Sequence, residues 1–207
     1  MRSVRWWALL SAGTAPVALI GGWLVAEALQ PPGYSPVAQT ISALAAYGAT
    51  DRWVMTLALY VVGACHVVTS LGLPVAALPG RVVLAGGGVA TVLVAVFPEP
   101  AGGGSSADHV AAATVAIVAL AVWPALASSS GAGRPWLLAR VPSVMVTALL
   151  LVLGAWFLAE LNSGGGQVGF AERVLTGVQT LVPLAVAVAA YRRSAPALPP
   201  GDESETA

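Results

Sequence analysis

Glu27 and Glu160 are the residues of this chain that most plainly call for a partner. Each is a carboxylate inside a long apolar stretch, within a turn of its C-terminal end. There the negative end of the helix macrodipole disfavours further negative charge. Ionisable groups inside such stretches usually face a protein interior or a water-filled cavity, and they usually have a partner. The cations available on that side are Arg52 and Arg173, with His109 as a third candidate. Two chemistries answer this pattern: a structural ion pair, or a site that holds a ligand or handles a proton. His109 follows Asp108 at a helix start, where imidazolium is disfavoured, so a neutral ring able to accept a proton or ligate a divalent ion is expected. The spacing defines no metal set, and neither metal nor cofactor is expected. His66, deep in its stretch beside Cys65, reads as a core histidine bonded to a threonine or a backbone carbonyl.

The other acids before the C-terminal tail have plainer readings. Asp51, Asp108 and Glu172 stand at helix N-termini, where a carboxylate caps free N–H groups. Glu99 lies in a Pro98-Glu99-Pro100 turn and reads as solvated. No Gly-x-Ser-x-Gly elbow, His-Glu-x-x-His or Walker loop is present, and Gly102-Gly103-Gly104-Ser105-Ser106 lacks the lysine of a phosphate loop. No catalytic residue is assigned.

The elements that must position these groups follow from composition. Of 207 residues, 57% are apolar and 9% charged, against about a quarter charged in a soluble domain, so the chain is read as dissolved in a bilayer. Net charge is zero and every base is arginine; scattered single bases exclude a nucleic-acid reader. One cysteine excludes an internal disulfide framework. Six stretches approach the ~20 residues a span requires: Trp6–Leu29, Trp53–Leu78, Val82–Phe97, His109–Ser128, Val141–Leu161 and Phe170–Tyr191. The third is short, and its Gly86-Gly87-Gly88 run suits close helix contact. The expected fold is an all-α polytopic membrane protein of six transmembrane helices (residues 1–193) with a disordered cytoplasmic tail (194–207). Arg2, Arg5, Arg81, Arg134, Arg140, Arg192 and Arg193 fall on one side and Arg52 and Arg173 on the other. The positive-inside rule then puts both termini in the cytoplasm of a cell (inner) membrane protein. The first stretch is long for a cleavable signal peptide and is read as retained. Between the first two spans, Val37, Ile41, Leu44 and Ala45 recur at helical spacing, which predicts a short helix lying on the outer face. Pro16, Pro74, Pro124 and Pro183 are read as interrupting four helices.

A local pattern recurs: Trp23-Leu24-Val25-Ala26-Glu27 matches Trp156-Phe157-Leu158-Ala159-Glu160, and the acid–arginine pairs Asp51-Arg52 and Glu172-Arg173 open the helices that follow. It would be a parallel repeat of the kind found in transporters.

Three groups of motifs carry a family resemblance. They are Pro32-Gly33-Tyr34-Ser35 with Gln39-Thr40-Ile41-Ser42 and Ala45-Ala46-Tyr47-Gly48; Phe97-Pro98-Glu99-Pro100 with His109; and Gly169-Phe170-Ala171-Glu172-Arg173-Val174. Over residues 1 to about 193 the chain resembles the bacterial six-helix membrane family catalogued as domain of unknown function 998. It departs from that family's pattern at Ala43, where members often carry an acid, and at Glu99, where they carry Asp. The resemblance implies the fold and brings no mechanism. It also implies that Tyr34, Gln39, Ser42, Glu99, His109, Glu172 and Arg173 hold the family's characteristic polar positions.

The leading functional expectation is a binding or transport-like protein for a small molecule or lipid, with a polar pocket at the extracytoplasmic side. Its ligand-binding or proton-handling candidates are Glu27, Glu160, His109, Arg173, Gln39 and Glu172. One alternative is a membrane hydrolase or transferase acting on a lipid with His109 as base, although Ser35, Ser42 and Ser105 have no recognisable partner. Another is a non-catalytic scaffold that presents the Gly86–Gly88 face to another protein. The expected partners are the bilayer and a lipid or small-molecule ligand, with no nucleic acid.

Overall fold

The computed structural model describes residues 4–130 and 134–194. Arg2 and the tail beyond residue 194 lie outside the described residues. The helices are α1 (Trp6–Ala28), α2 (Ile41–Ala45), α3 (Trp53–Leu71), α4 (Leu78–Val96), α5 (Ala107–Leu126), α6 (Arg140–Ser163) and α7 (Val168–Ser194), with a 3-10 turn at Trp136–Leu138 and no strand among the described residues. All but α2 are long and apolar enough to cross a membrane, so this is a multi-pass membrane protein in a lipid environment.

The boundary between the second and third spans differs from the expectation. α3 stops at Leu71, capped by Gly72, and Pro74 lies in the following turn instead of interrupting a helix. α4 starts at Leu78 with Pro79 in its first turn, where a missing N–H costs nothing. The third span is therefore as long as the second. Pro16, Pro124 and Pro183 do lie within helices.

Neighbouring spans pack in the order α1–α3–α4–α5–α6–α7, and α7 returns to α1, closing a ring. Two cores fill it. One, at the arginine-bearing end, packs Leu73, Leu84, Leu120, Leu138 and Val186 around Trp123. The other, at the acid-bearing end, packs Leu19, Trp23, Met55 and Leu59 beneath Ile41 and Leu44 of α2. The predicted surface helix thus exists but is shorter than its spacing implied: Thr40 caps it, accepting from the N–H of Ala43 at 3.1 Å, and Val37 stays outside and exposed.

The glycine run of α4 is used inside the bundle. A Cβ on Gly88 would stand 2.6 Å from the carbonyl oxygen of Gly63 on α3, and one on Gly63 would stand 2.5 Å from the carbonyl oxygen of Gly88. Only two facing glycines permit that approach. Gly87 packs on Leu120, while Gly86 stays exposed with open space beside it. α6 is the loosest member of the ring. Only 11% of its apolar window is buried, against 44% for α3 and for α4.

Candidate functional site

The polar groups converge where the loop after α1 folds back over the acid-bearing end and meets the first turns of α7. Arg173 is the hub. Its Nε donates to Glu27 Oε1 at 2.7 Å, and Nη2 contacts the same oxygen at 2.6 Å. Nη2 also donates to the Tyr34 hydroxyl at 2.7 Å, and Nη1 to the carbonyls of Gln39 (2.8 Å) and Gly169 (2.9 Å). Those contacts engage all five donors of a guanidinium. Both side chains of the pair are largely buried, 10% exposed for Arg173 and 16% for Glu27. The loop is clipped further by the Phe170 N–H, which donates to the Val37 carbonyl at 3.0 Å. Gly169 makes the approach possible, since a Cβ there would run into the carbonyls of Pro36 and Gln39. Burial pushes the Tyr34 phenol above its ordinary value, with the neighbouring Arg173 pulling the other way.

Glu172 does something its position in sequence did not reveal. It lies near the start of α7, but its carboxylate caps another helix: Oε2 accepts the N–H of Ile41, the first residue of α2, at 2.5 Å. It is buried, at 8% exposed. The cap of α5 is likewise Ser106, whose hydroxyl accepts the His109 N–H at 3.2 Å, while Asp108 stays exposed. Asp51 sits at a positive φ of 47° and accepts from the Trp53 indole at 3.2 Å, so it does not cap α3.

His109 is buried and oriented. Its Nδ1 lies 2.8 Å from the Phe97 carbonyl, an acceptor only, so Nδ1 carries the proton and Nε2 faces Glu99 Oε1 at 3.6 Å. Glu99 is thus not simply solvated, and it also accepts the Ser105 hydroxyl at 3.1 Å. The order is serine–glutamate–histidine. A nucleophilic relay needs the histidine between serine and acid, and no described hydrogen bond joins Ser105 to His109.

Glu160 stands apart from this cluster. Its Oε2 accepts the N–H of Gln167, just before α7, at 3.2 Å. The dipole of its own helix opposes that charge, but the start of the next helix favours it. Arg52, the counterpart of Arg173 in the sequence repeat, donates to the Ala45 carbonyl at 3.0 Å and lies 4.8 Å over the Tyr47 ring. Hence Glu27, Arg173 and the Gln39 backbone meet, His109 and Glu172 share a cleft described next, and no described hydrogen bond or ion pair ties Glu160 to either group.

Two spaces adjoin the cluster. A cleft of about 340 Å³ runs between α5 and α6, with Thr40, Ser42, Glu99, Ser105, His109 and Glu172 at its polar end. Its body is apolar, formed by Ile117, Val118, Leu151, Phe157 and Leu158 around Gly154. A smaller cavity of about 70 Å³ lies at the centre of the ring and is lined by His66, Thr91, Thr176, Gln179, Thr180 and Glu172, among apolar neighbours. Ser42, Ala113, Ile117 and Glu172 border both. Against the expectation for a core histidine, neither ring nitrogen of the fully buried His66 has a hydrogen-bond partner among the described residues. Its readable signal lies on α7, where Glu172, Thr176, Gln179 and Thr180 recur at helical spacing on one face. No group of three or more metal-ligating side chains occurs among the described residues.

The family model described as protein of unknown function (DUF998) matches residues 12–189. The chain belongs to this family. No curated protein and no solved structure matches it. The DUF998 chain therefore has to be read from its own geometry.

Proposed function

We propose that this DUF998 protein binds a membrane amphiphile in the cleft between α5 and α6, with the polar head at the acid-bearing end and the chain along the apolar walls. The cleft carries the proposal. Its volume falls in the range of small-molecule sites, about 300–1,000 Å³, and polar groups cluster at one end only. Val110, Val118, Leu151, Leu158 and Leu161 line it while about half exposed, so it opens sideways toward lipid. The positive-inside rule assigns this end to the extracytoplasmic leaflet of the cell membrane.

The head group is constrained by charge. Glu99 and Glu172 line the polar end, and Arg173, the cation that would have attracted an anion, has every donor engaged within the fold. A cationic or donor-rich head fits, and an anionic one does not. Binding in nanodiscs of a long-chain alkylamine and of an alkyl sulfate of equal length tests this. The amine should bind and the sulfate should not, and Gly154→Trp should abolish binding by filling the cleft. Equal binding of both probes, or full binding by the folded Gly154→Trp variant, would overturn the proposal. Labelling of Ala101→Cys by a membrane-impermeant maleimide on intact cells tests the orientation; lack of reaction there alongside reaction in lysed cells would reverse it.

A further inference from the structure

We infer that the central cavity is a hydrated proton site, in which His66 takes up the proton and Glu172 passes it in from the cleft. The inference does not depend on the amphiphile. It stands on the geometry of the cavity and on which polar groups there are still free.

The threonine hydroxyls around the cavity are already engaged as donors. The Thr91 hydroxyl donates to the Gly87 backbone carbonyl at 2.9 Å, that of Thr176 to the Glu172 backbone carbonyl at 2.8 Å and that of Thr180 to the Gly177 backbone carbonyl at 2.9 Å. The Gln179 amide donates to the Ile117 carbonyl at 2.9 Å. These hydroxyl oxygens are left as acceptors, and the Glu172 carboxylate adds more. Across from them the neutral His66 ring offers one donor and one acceptor, both without a partner. A cavity so rich in acceptors suits a guest rich in donors, and water or protonated water is the smallest. The space of about 70 Å³ exceeds the ~10–15 Å³ that one water needs, and the polar partners each water requires are present.

The cavity adjoins the cleft. Glu172 belongs to the walls of both cavity and cleft, so its carboxylate is the titratable group between them. Among the residues lining the cavity, His66 and Glu172 are the titratable ones. Leu19 of α1, Thr91 and Val94 of α4, and Ala116 and Leu120 of α5 bring no charge toward the ring, while Glu99 and His109 stand beyond the partition, in the cleft. On the other side of His66 the core around Leu84 and Trp123 is fully buried. A proton would pass from cleft water to the Glu172 carboxylate, then to a cavity water, then to the bare nitrogen of His66. It would return by the same route, and only O–H and N–H bonds form and break.

The chain has two histidines, so untagged His109→Gln protein, labelled with 15N-histidine and reconstituted in bilayers, reports His66 alone. The expected spectrum shows magnetisation transfer from water to the His66 ring. It should also show the neutral 15N signals converting to imidazolium as the pH is lowered. Ala116→Leu, which fills the cavity without touching the carboxylate, should remove the water signal. Glu172→Gln should keep that signal and slow proton exchange at the ring. A folded His109→Gln protein whose ring shows no water contact, or keeps its neutral signals at every pH at which the protein stays folded, overturns the proton site. Unchanged exchange in folded Glu172→Gln overturns the entrance; if that variant does not fold, water contact that persists in Ala116→Leu overturns the site instead.

Discussion

The first turns of α7 and the cleft beside α6 share the acid-bearing end of the bundle, and the chain treats their acids in opposite ways. At α7, Glu27, Arg173, Tyr34 and two backbone carbonyls close around one another until no donor of the guanidinium is left for a ligand. At the cleft, Glu99 and His109 face each other at 3.6 Å beside Glu172, above open apolar space. The difference follows from packing. α7 carries the loop on its first residues and is well buried in the bundle, whereas α6 buries little and leaves a gap against α5. The convergence of acid and base in a membrane protein therefore does not by itself mark a ligand site; what separates the two regions is whether the hydrogen-bonding capacity is already used.

Breaking the latch should have the largest effect. Removing one partner of a buried charged pair costs about 3–5 kcal/mol, because the other charge is left without compensation. Arg173→Ala and Glu27→Gln should each lower the unfolding free energy by an amount in that range, read as a drop in the thermal midpoint in detergent. Arg173→Lys should recover only part of it, since a lysine cannot reproduce the planar fork of donors. Glu160→Gln supplies the contrast, because its contact is one partly exposed hydrogen bond to a backbone N–H. It should change stability by no more than about 0.5 kcal/mol. Equal losses at Glu27 and Glu160 would restore the symmetry that the sequence repeat suggests and would contradict the asymmetry of the folded chain.

Two glycines sharpen the contrast at lower cost. A methyl group on Gly169 meets backbone carbonyls that cannot swing aside, so Gly169→Ala should cost about 1–3 kcal/mol. It should also speed amide exchange at Ile41 and Ala43, the donors that Glu172 and Thr40 cap. A methyl group on Gly154 meets only Ile117, at 4.0 Å. Gly154→Ala should be neutral, or stabilising by up to about 1 kcal/mol through helix propensity. A destabilising Gly154→Ala would mean that the cleft is narrower than its walls indicate.

Much of this architecture was legible from composition and apolar run length, because apolar length and small-residue contact operate within a single segment. Six spans, a helix in the first loop and a close glycine seam all follow from local rules. What the sequence withheld depends on which segment lies opposite. Glu160 looked unfavourable because only its own helix dipole was visible, and the start of α7 supplies the compensation. Glu172 looked like the cap of its own helix and instead caps α2. His66 looked satisfied because most buried histidines are, and only the folded ring shows that no carbonyl or hydroxyl reaches it. The α7 stripe of Glu172, Thr176, Gln179 and Thr180 was readable by periodicity, but its meaning required a cavity on the facing side.

One more effect belongs to the latch, and it depends on pH. Burial raises the Tyr34 phenol above its ordinary value of 10.0. The folded protein therefore holds this proton more tightly than the unfolded chain, and the sign of the linkage follows. Below pH 10 both states are protonated and the group adds no pH dependence. Once the unfolded chain begins to ionise, the folded state binds more protons, and stability falls as pH rises. Thermal midpoints of the wild type should thus decline in alkali more steeply than those of Tyr34→Phe. At neutral pH the same substitution removes a hydrogen bond from a charged donor, worth about 1.5–3 kcal/mol before the loop relaxes. A parallel alkaline decline in the two proteins would show that the phenol is solvated, and that the guanidinium is held by Glu27 and the two carbonyls without it.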